Sequence, residues 1–110
     1  MEASTSPARV ALSTAPDAET AARIARTLVQ ERLAACVNLL PGVRSIYRWQ
    51  GAIEDAAEVL LVMKTRAERV EALAERLRAL HPYELPELVV LPVAGGSSGY
   101  LDWVLAEAAG

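Results

Sequence analysis

Apolar positions recur along the chain in two periods. Arg9 to Thr14 alternates apolar with small polar residues, with Val10 and Leu12 marking the apolar phase, and stops at Ala15-Pro16-Asp17. Proline lacks a ladder donor and is well suited to a first helical turn, so the segment reads as a strand feeding a helix. From Asp17 to about Leu33, the residues Ala21, Ile24, Ala25 and Leu28 repeat at i, i+3, i+4 and i+7 opposite Arg23, Arg26 and Gln30. That spacing predicts an amphipathic helix. Cys36 to Leu40 is extended, breaks at Pro41-Gly42, and resumes from Val43 to Trp49 with Ser45, Tyr47 and Trp49 on one face and Ile46 on the other. A long bulged strand accounts for both halves. Gln50-Gly51 is a turn signal, and the five consecutive apolar residues from Val59 to Met63 read as a strand covered on both sides, closing a hairpin.

The second half repeats the scheme. Thr65-Arg66-Ala67-Glu68 has capping-box spacing, and Val70, Leu73, Ala74 and Leu77 follow at helical intervals. This helix ends near Leu80, because His81 precedes a proline and is pushed out of the helical region. Leu88 to Val93 is β-branched and extended. Ser97 or Ser98 then caps a short helix carrying Tyr100, Leu101, Val104 and Leu105. The order β-α-β-β-α-β plus a C-terminal helix predicts an α+β, ferredoxin-like domain, a four-stranded, mainly antiparallel sheet with two helices on one face. The other face, with Val59, Leu61 and Met63 assigned to it, then needs a second subunit to cover it.

Composition sharpens this picture. The chain has 110 residues, enough for one domain spanning 1–110, and its 53% hydrophobic and 23% charged content suits a folded core. A mean hydropathy of +0.21 is high for so small a domain and again points to a subunit interface. Fourteen acidic against eleven basic residues, a net charge of -3, argue against nucleic acid as a partner. No apolar run reaches the ~18 residues of a membrane span, and residues 1–8 show no leader pattern, so the expected location is cytoplasmic. One cysteine excludes an internal disulfide and cysteine-rich zinc sites.

Cys36, Asn38, Lys64 and His81 are the sole members of their residue types. A thiol and an imidazole suit copper better than magnesium or calcium, although Cys36 also fits the part of a small buried hydrophobe. The segment His81-Pro82-Tyr83-Glu84-Leu85-Pro86-Glu87 displays an imidazole, a phenol and carboxyl groups on a backbone stiffened by two prolines. It reads either as a ligand-bearing loop or as a helix stop in which His81 caps carbonyl groups. Glu58 and Lys64 lie an even number of residues apart on one strand and so share a face, where they flank a ligand or form an ion pair across a subunit boundary. Phosphate-loop, zinc-protease and nucleophile-elbow motifs are missing from the sequence, and no nucleophile and base pair off, so an enzyme is not expected.

Taken in order, Ala34-Ala35-Cys36-Val37-Asn38, Ser45-Ile46-Tyr47-Arg48-Trp49-Gln50-Gly51, Glu58, Leu61, Lys64-Thr65, the His81 to Glu87 segment and Tyr100-Leu101-Asp102-Trp103 resemble the CutA divalent-cation tolerance family over nearly the whole chain. The resemblance implies a homotrimer similar in assembly to PII signalling proteins and a link to copper and other divalent cations. It also implies that Cys36, Trp49, Lys64, His81, Tyr83 and Glu87 lie near inter-subunit clefts. Some members carry a second cysteine where this chain has Ser13, which argues against a multi-thiol copper site. The expected metal ligands for copper(II) or a related cation are therefore Cys36, His81, Glu84 and Glu87, and the expected cleft residues are Trp49, Glu58, Lys64, Tyr83 and Tyr100. The alternatives are a PII-like sensor of a small anionic metabolite, held by Lys64, Glu58 and Tyr83, and a structural trimer that nucleates partner assembly.

Overall fold

The computed structural model describes residues 6–110; the first five residues of the segment searched for a leader lie outside the described part. The elements are β1 (Ala8–Ala15), α1 (Ala18–Gln30), β2 (Cys36–Trp49), β3 (Ala52–Arg66), α2 (Val70–Leu80), β4 (Val89–Pro92) and α3 (Ser98–Glu107). The strands form one sheet in the order β2-β3-β1-β4 with every neighbouring pair antiparallel. This is the expected ferredoxin-like arrangement.

Local chemistry sets the helix ends. Asp17 caps α1 by accepting the Thr20 amide at 2.7 Å, which holds its carboxyl below the usual range. The helix stops at Gln30, short of the expected Leu33, because Arg32 adopts a left-handed φ of 60° and the Leu33 amide turns back to the Leu28 carbonyl at 2.9 Å. Ser97 caps α3 through the Tyr100 amide, as its position suggested. The capping box at Thr65 is not formed. Thr65 is still in β3, fully buried, and its hydroxyl donates to the Leu33 carbonyl at 2.7 Å. Glu68 pairs instead with Arg66 at 2.9 Å, and a short 3-10 turn, Ala67–Arg69, leads into α2.

The core lies between α1, α2 and one face of the sheet. Ile24, Leu28, Leu73 and Leu77 pack on Ala11, Ala15, Val59, Leu61 and Met63. Val59, Leu61 and Met63 thus face the helices and not the open side. An unbroken apolar run carries no period of two, and the pairings Ala11↔Met63, Ser13↔Leu61 and Ala15↔Val59 decide the phase. The opposite face carries Val10, Leu12, Leu40, Leu60 and Val62, with Val89 and Leu91 exposed beside them. At one end of that face α3 packs Val104 and Ala108 on Ala8 and Ala35.

The β2–β3 hairpin is longer than the rest of the sheet. Beyond Val59, the partner of Ala15, no third strand accompanies it, so residues 43–58 form a two-stranded arm in a molecule measuring 44 × 34 × 23 Å. The arm is set off by the expected bulge, where Leu40 pairs with Leu60 and Val43 with Glu58. Gly42 makes this possible with φ +82°. At the tip Gln50 (φ 50°) and Gly51 (φ 82°) form a two-residue turn with both central residues left-handed. Arg44 and Asp55 brace the strands with two hydrogen bonds of 2.8 and 2.6 Å. Ile46 and Ile53 remain 65% and 62% exposed.

Candidate functional site

A cleft of about 770 Å³ opens where the arm leaves the sheet. Three parts of the chain build it: Thr14 and Glu58 from the ends of the β1–β3 pairing, Tyr47 and Trp49 from the arm, and the segment from Pro82 to Val89. The bulge makes this possible. It moves the odd-numbered residues of β2 onto the face of Glu58, so that the two aromatic rings reach the cleft while Ile46 points away.

Glu58 sits at its floor with only 7% of its surface exposed. The Tyr83 hydroxyl donates to its Oε2 at 2.9 Å. Burial, reinforced by this carboxylate, pushes the Tyr83 phenol far above its ordinary range, so the group stays a donor. Glu87 lies on the same cleft, and its carboxyl is raised first by burial and then by the charge of Glu58, with a hydrogen bond to the Thr14 side chain opposing both. Glu84 adds a third acidic group, and among the described residues the lining contains no lysine or arginine.

His81 supports the cleft from beneath. Its Nδ1 accepts the Tyr83 amide at 3.1 Å, so Nε2 carries the hydrogen and donates to the Thr14 carbonyl at 2.6 Å. The ring also lies 4.7 Å from that of Tyr83. His81 thus does cap α2, but through its backbone, whose amide donates to the Leu77 carbonyl at 2.9 Å; its ring is not free as a metal ligand and ties the proline-stiffened segment to β1.

The expected residues thus divide. Trp49, Glu58, Tyr83, Glu84 and Glu87 meet in the cleft with His81 behind them. Cys36 and Lys64 do not. They are paired across β2 and β3 at the far end of the sheet, where Lys64 donates to Asn38 Oδ1 and the half-buried Cys36 thiol lies 3.8 Å from the same oxygen. Glu58 and Lys64 do share a face, but six residues of strand separate them by roughly 20 Å. Within one chain they neither pair nor flank one ligand, and the anion-binding arrangement of Lys64, Glu58 and Tyr83 does not assemble from a single copy. The metal set Cys36, His81, Glu84 and Glu87 does not assemble within one chain either, and among the described residues no three His, Cys, Asp or Glu side chains converge as ligands. Tyr100 is outside the cleft, exposed on α3 with its ring 5.6 Å from Trp103.

Sequence reasoning missed Tyr47 and Thr14 as cleft residues. Tyr47 was detectable, since it shares a strand face with Trp49. Thr14 is recruited by the carbonyl it offers to His81, which no side-chain pattern encodes. No helix among the described residues is long and apolar enough to cross a membrane.

Comparison with known proteins places this geometry in context. A family profile described as CutA1 divalent ion tolerance protein matches residues 9–107. The chain is 54% identical over 95 residues to the divalent-cation tolerance protein CutA of Thermus thermophilus, covering 86% of this chain and 92% of that one. It is 44% identical over 100 residues to the chloroplastic CutA protein of Arabidopsis thaliana, covering 91% of this chain and 55% of that longer protein. Among solved structures, CutA from Xylella fastidiosa superposes with a TM-score of 0.92 at 50% identity, covering 94% of this chain and all of that one.

Proposed function

The chain belongs to the CutA1 divalent ion tolerance family, and on that footing we propose that it acts in divalent-cation tolerance as a homotrimeric, non-enzymatic binding protein whose acidic cleft receives positive charge. The observation that carries this reading is the buried Glu58 carboxyl in a cleft that also holds Glu84 and Glu87 and has no basic residue in its described lining. Clefts lined by one sign of charge concentrate the opposite ion. The trimer is supported by the apolar sheet face around Leu12, Leu60 and Val62 and by the unaccompanied arm, since an isolated two-stranded ribbon is marginal in water. Copper(II) is the cation to be tested first.

The test is native mass spectrometry of the reduced, metal-free protein during a copper(II) titration with zinc(II) as comparison. The reading predicts a trimer that saturates at a fixed copper number, reduced in Glu58→Gln and Glu87→Gln and unchanged in Cys36→Ser. Loss of copper uptake in Cys36→Ser with full uptake in both Glu variants overturns the assignment to the cleft.

A second reading, a small-molecule sensor, is favoured by the apolar share of the lining: Leu85, Leu88, Val89 and two prolines accompany the aromatic rings. Because Lys64 of the same chain lies about 20 Å from Glu58, the acidic lining favours a cationic ligand over an anionic one in this reading.

A further inference from the structure

The cleft offers two things at once. One is negative charge with a vacant acceptor: Tyr83 occupies Oε2 of Glu58, while Oε1 has no hydrogen-bond partner among the described residues. The other is an apolar body, with Tyr47 and Trp49 on the arm side and Leu85 and Val89 on the other. A bare divalent ion uses the first and gains nothing from the second. It also needs several converging donors, and the described residues of one chain supply no such set, so a divalent ion held here depends on donors from a second copy. Among the described residues only the Ser13 hydroxyl is buried without a partner, so Glu58 Oε1 is open to solvent and can exchange water for an incoming charged donor. Aromatic faces favour cations as well, through the negative charge of the ring surface.

We infer that the cleft binds a primary organic ammonium carrying an apolar group, with the ammonium on Glu58 Oε1 and Glu87 and the apolar group between Trp49 and Leu85. This deepens the sensor reading and rests on it. A primary ammonium has three N–H donors, enough to satisfy the free oxygen of Glu58 and the neighbouring Glu87 together. The charge of Glu58 raises the Glu87 carboxyl, a penalty that a cation bound beside them relieves. The carboxyl groups select the sign of the ligand and the aromatic and aliphatic walls select its body.

The test uses the full, metal-free chain and isothermal titration calorimetry with 2-phenylethylammonium as probe. The neutral isostere 2-phenylethanol and copper(II) are titrated in parallel. The ammonium is expected to bind and the alcohol to bind at least about tenfold more weakly, the loss of one charge-assisted hydrogen bond. Glu58→Gln and Trp49→Ala should each weaken the ammonium by a similar factor, and Tyr100→Ala on α3 should leave it unchanged. Glu87→Gln guards against misfolding of the Glu58 variant, because this side chain is exposed enough to change without disturbing the core. Equal affinity for the alcohol and the ammonium overturns the inference, as does ammonium binding that both Glu variants retain. Saturable copper uptake without ammonium binding also overturns it and leaves the cation-tolerance reading standing. Ammonium binding without copper uptake does the reverse.

Discussion

Ser13 lies fully buried under Leu61, and its hydroxyl has no hydrogen-bond partner among the described residues. A hydroxyl desolvated without compensation is a cost, so Ser13→Ala should stabilise the protein by about 1 kcal/mol, measurable by urea titration. Tyr83→Phe has the opposite sign. It strips the donor from a buried carboxyl and should cost roughly 1–3 kcal/mol in the same assay. Glu87 gives a pH-dependent case. Its carboxyl is harder to ionise in the folded chain than in the unfolded one, so the folded state binds the extra proton. The resulting penalty is absent below the ordinary value of 4.5, grows from there as pH rises toward the elevated folded value, and is complete above it. Glu87→Gln should therefore melt slightly higher than the parent chain at pH 7 and together with it near pH 3. Several of these residues were legible in the sequence, for a physical reason. Tyr83, Glu84 and Glu87 sit on one segment that two prolines hold rigid, and strand parity places Trp49 and Glu58. Cys36 and His81 do not meet within one chain, because the rarity of a residue type contains no distance. The hydroxyl of Thr65 looked like a helix cap because the spacing to Glu68 fits, while the Leu33 carbonyl that claims it is 32 residues away in sequence.

Elements were easier to read than their lengths. Both long helices and the first two strands announced themselves by period, and β3 and β4 by apolar or β-branched runs, yet β3 proved to run from Ala52 to Arg66, well beyond its apolar stretch. Its outer half contains Glu54, Asp55, Ala56 and Ala57, weak strand formers individually, and is extended because β2 pairs with it residue by residue. The turn joining them predicts its own improvement. Gln50 is held at φ 50°, a conformation that costs most side chains energy and that asparagine tolerates. Gln50→Asn should raise the thermal midpoint by an amount corresponding to about 0.5 kcal/mol, with unchanged far-UV circular dichroism.

In the whole molecule, one sheet face is covered by α1 and α2 and the other mostly is not. If that second face is where copies meet, as the proposed trimer requires, Leu12→Glu should yield monomers in sedimentation velocity while the helix-side core survives. Leu12 pairs with Val62 and Val89, so a charge there lies at the middle of the apolar surface. The hydropathy of the chain foretold such a surface, but its composition does not say which face. The bulge at Gly42 has a consequence of the same scale. Were the strand to run straight, Leu40 would still meet Leu60, but Gly42, Arg44, Ile46 and Arg48 would replace Val43, Ser45, Tyr47 and Trp49 on the cleft side. The walls would then present two guanidinium groups to the carboxyl groups of Glu58, Glu84 and Glu87, and most of the attraction for cations would be lost. The polarity of the recognition surface is thus stored as a single step of phase in a repeating backbone, set by a residue that contributes no side chain of its own.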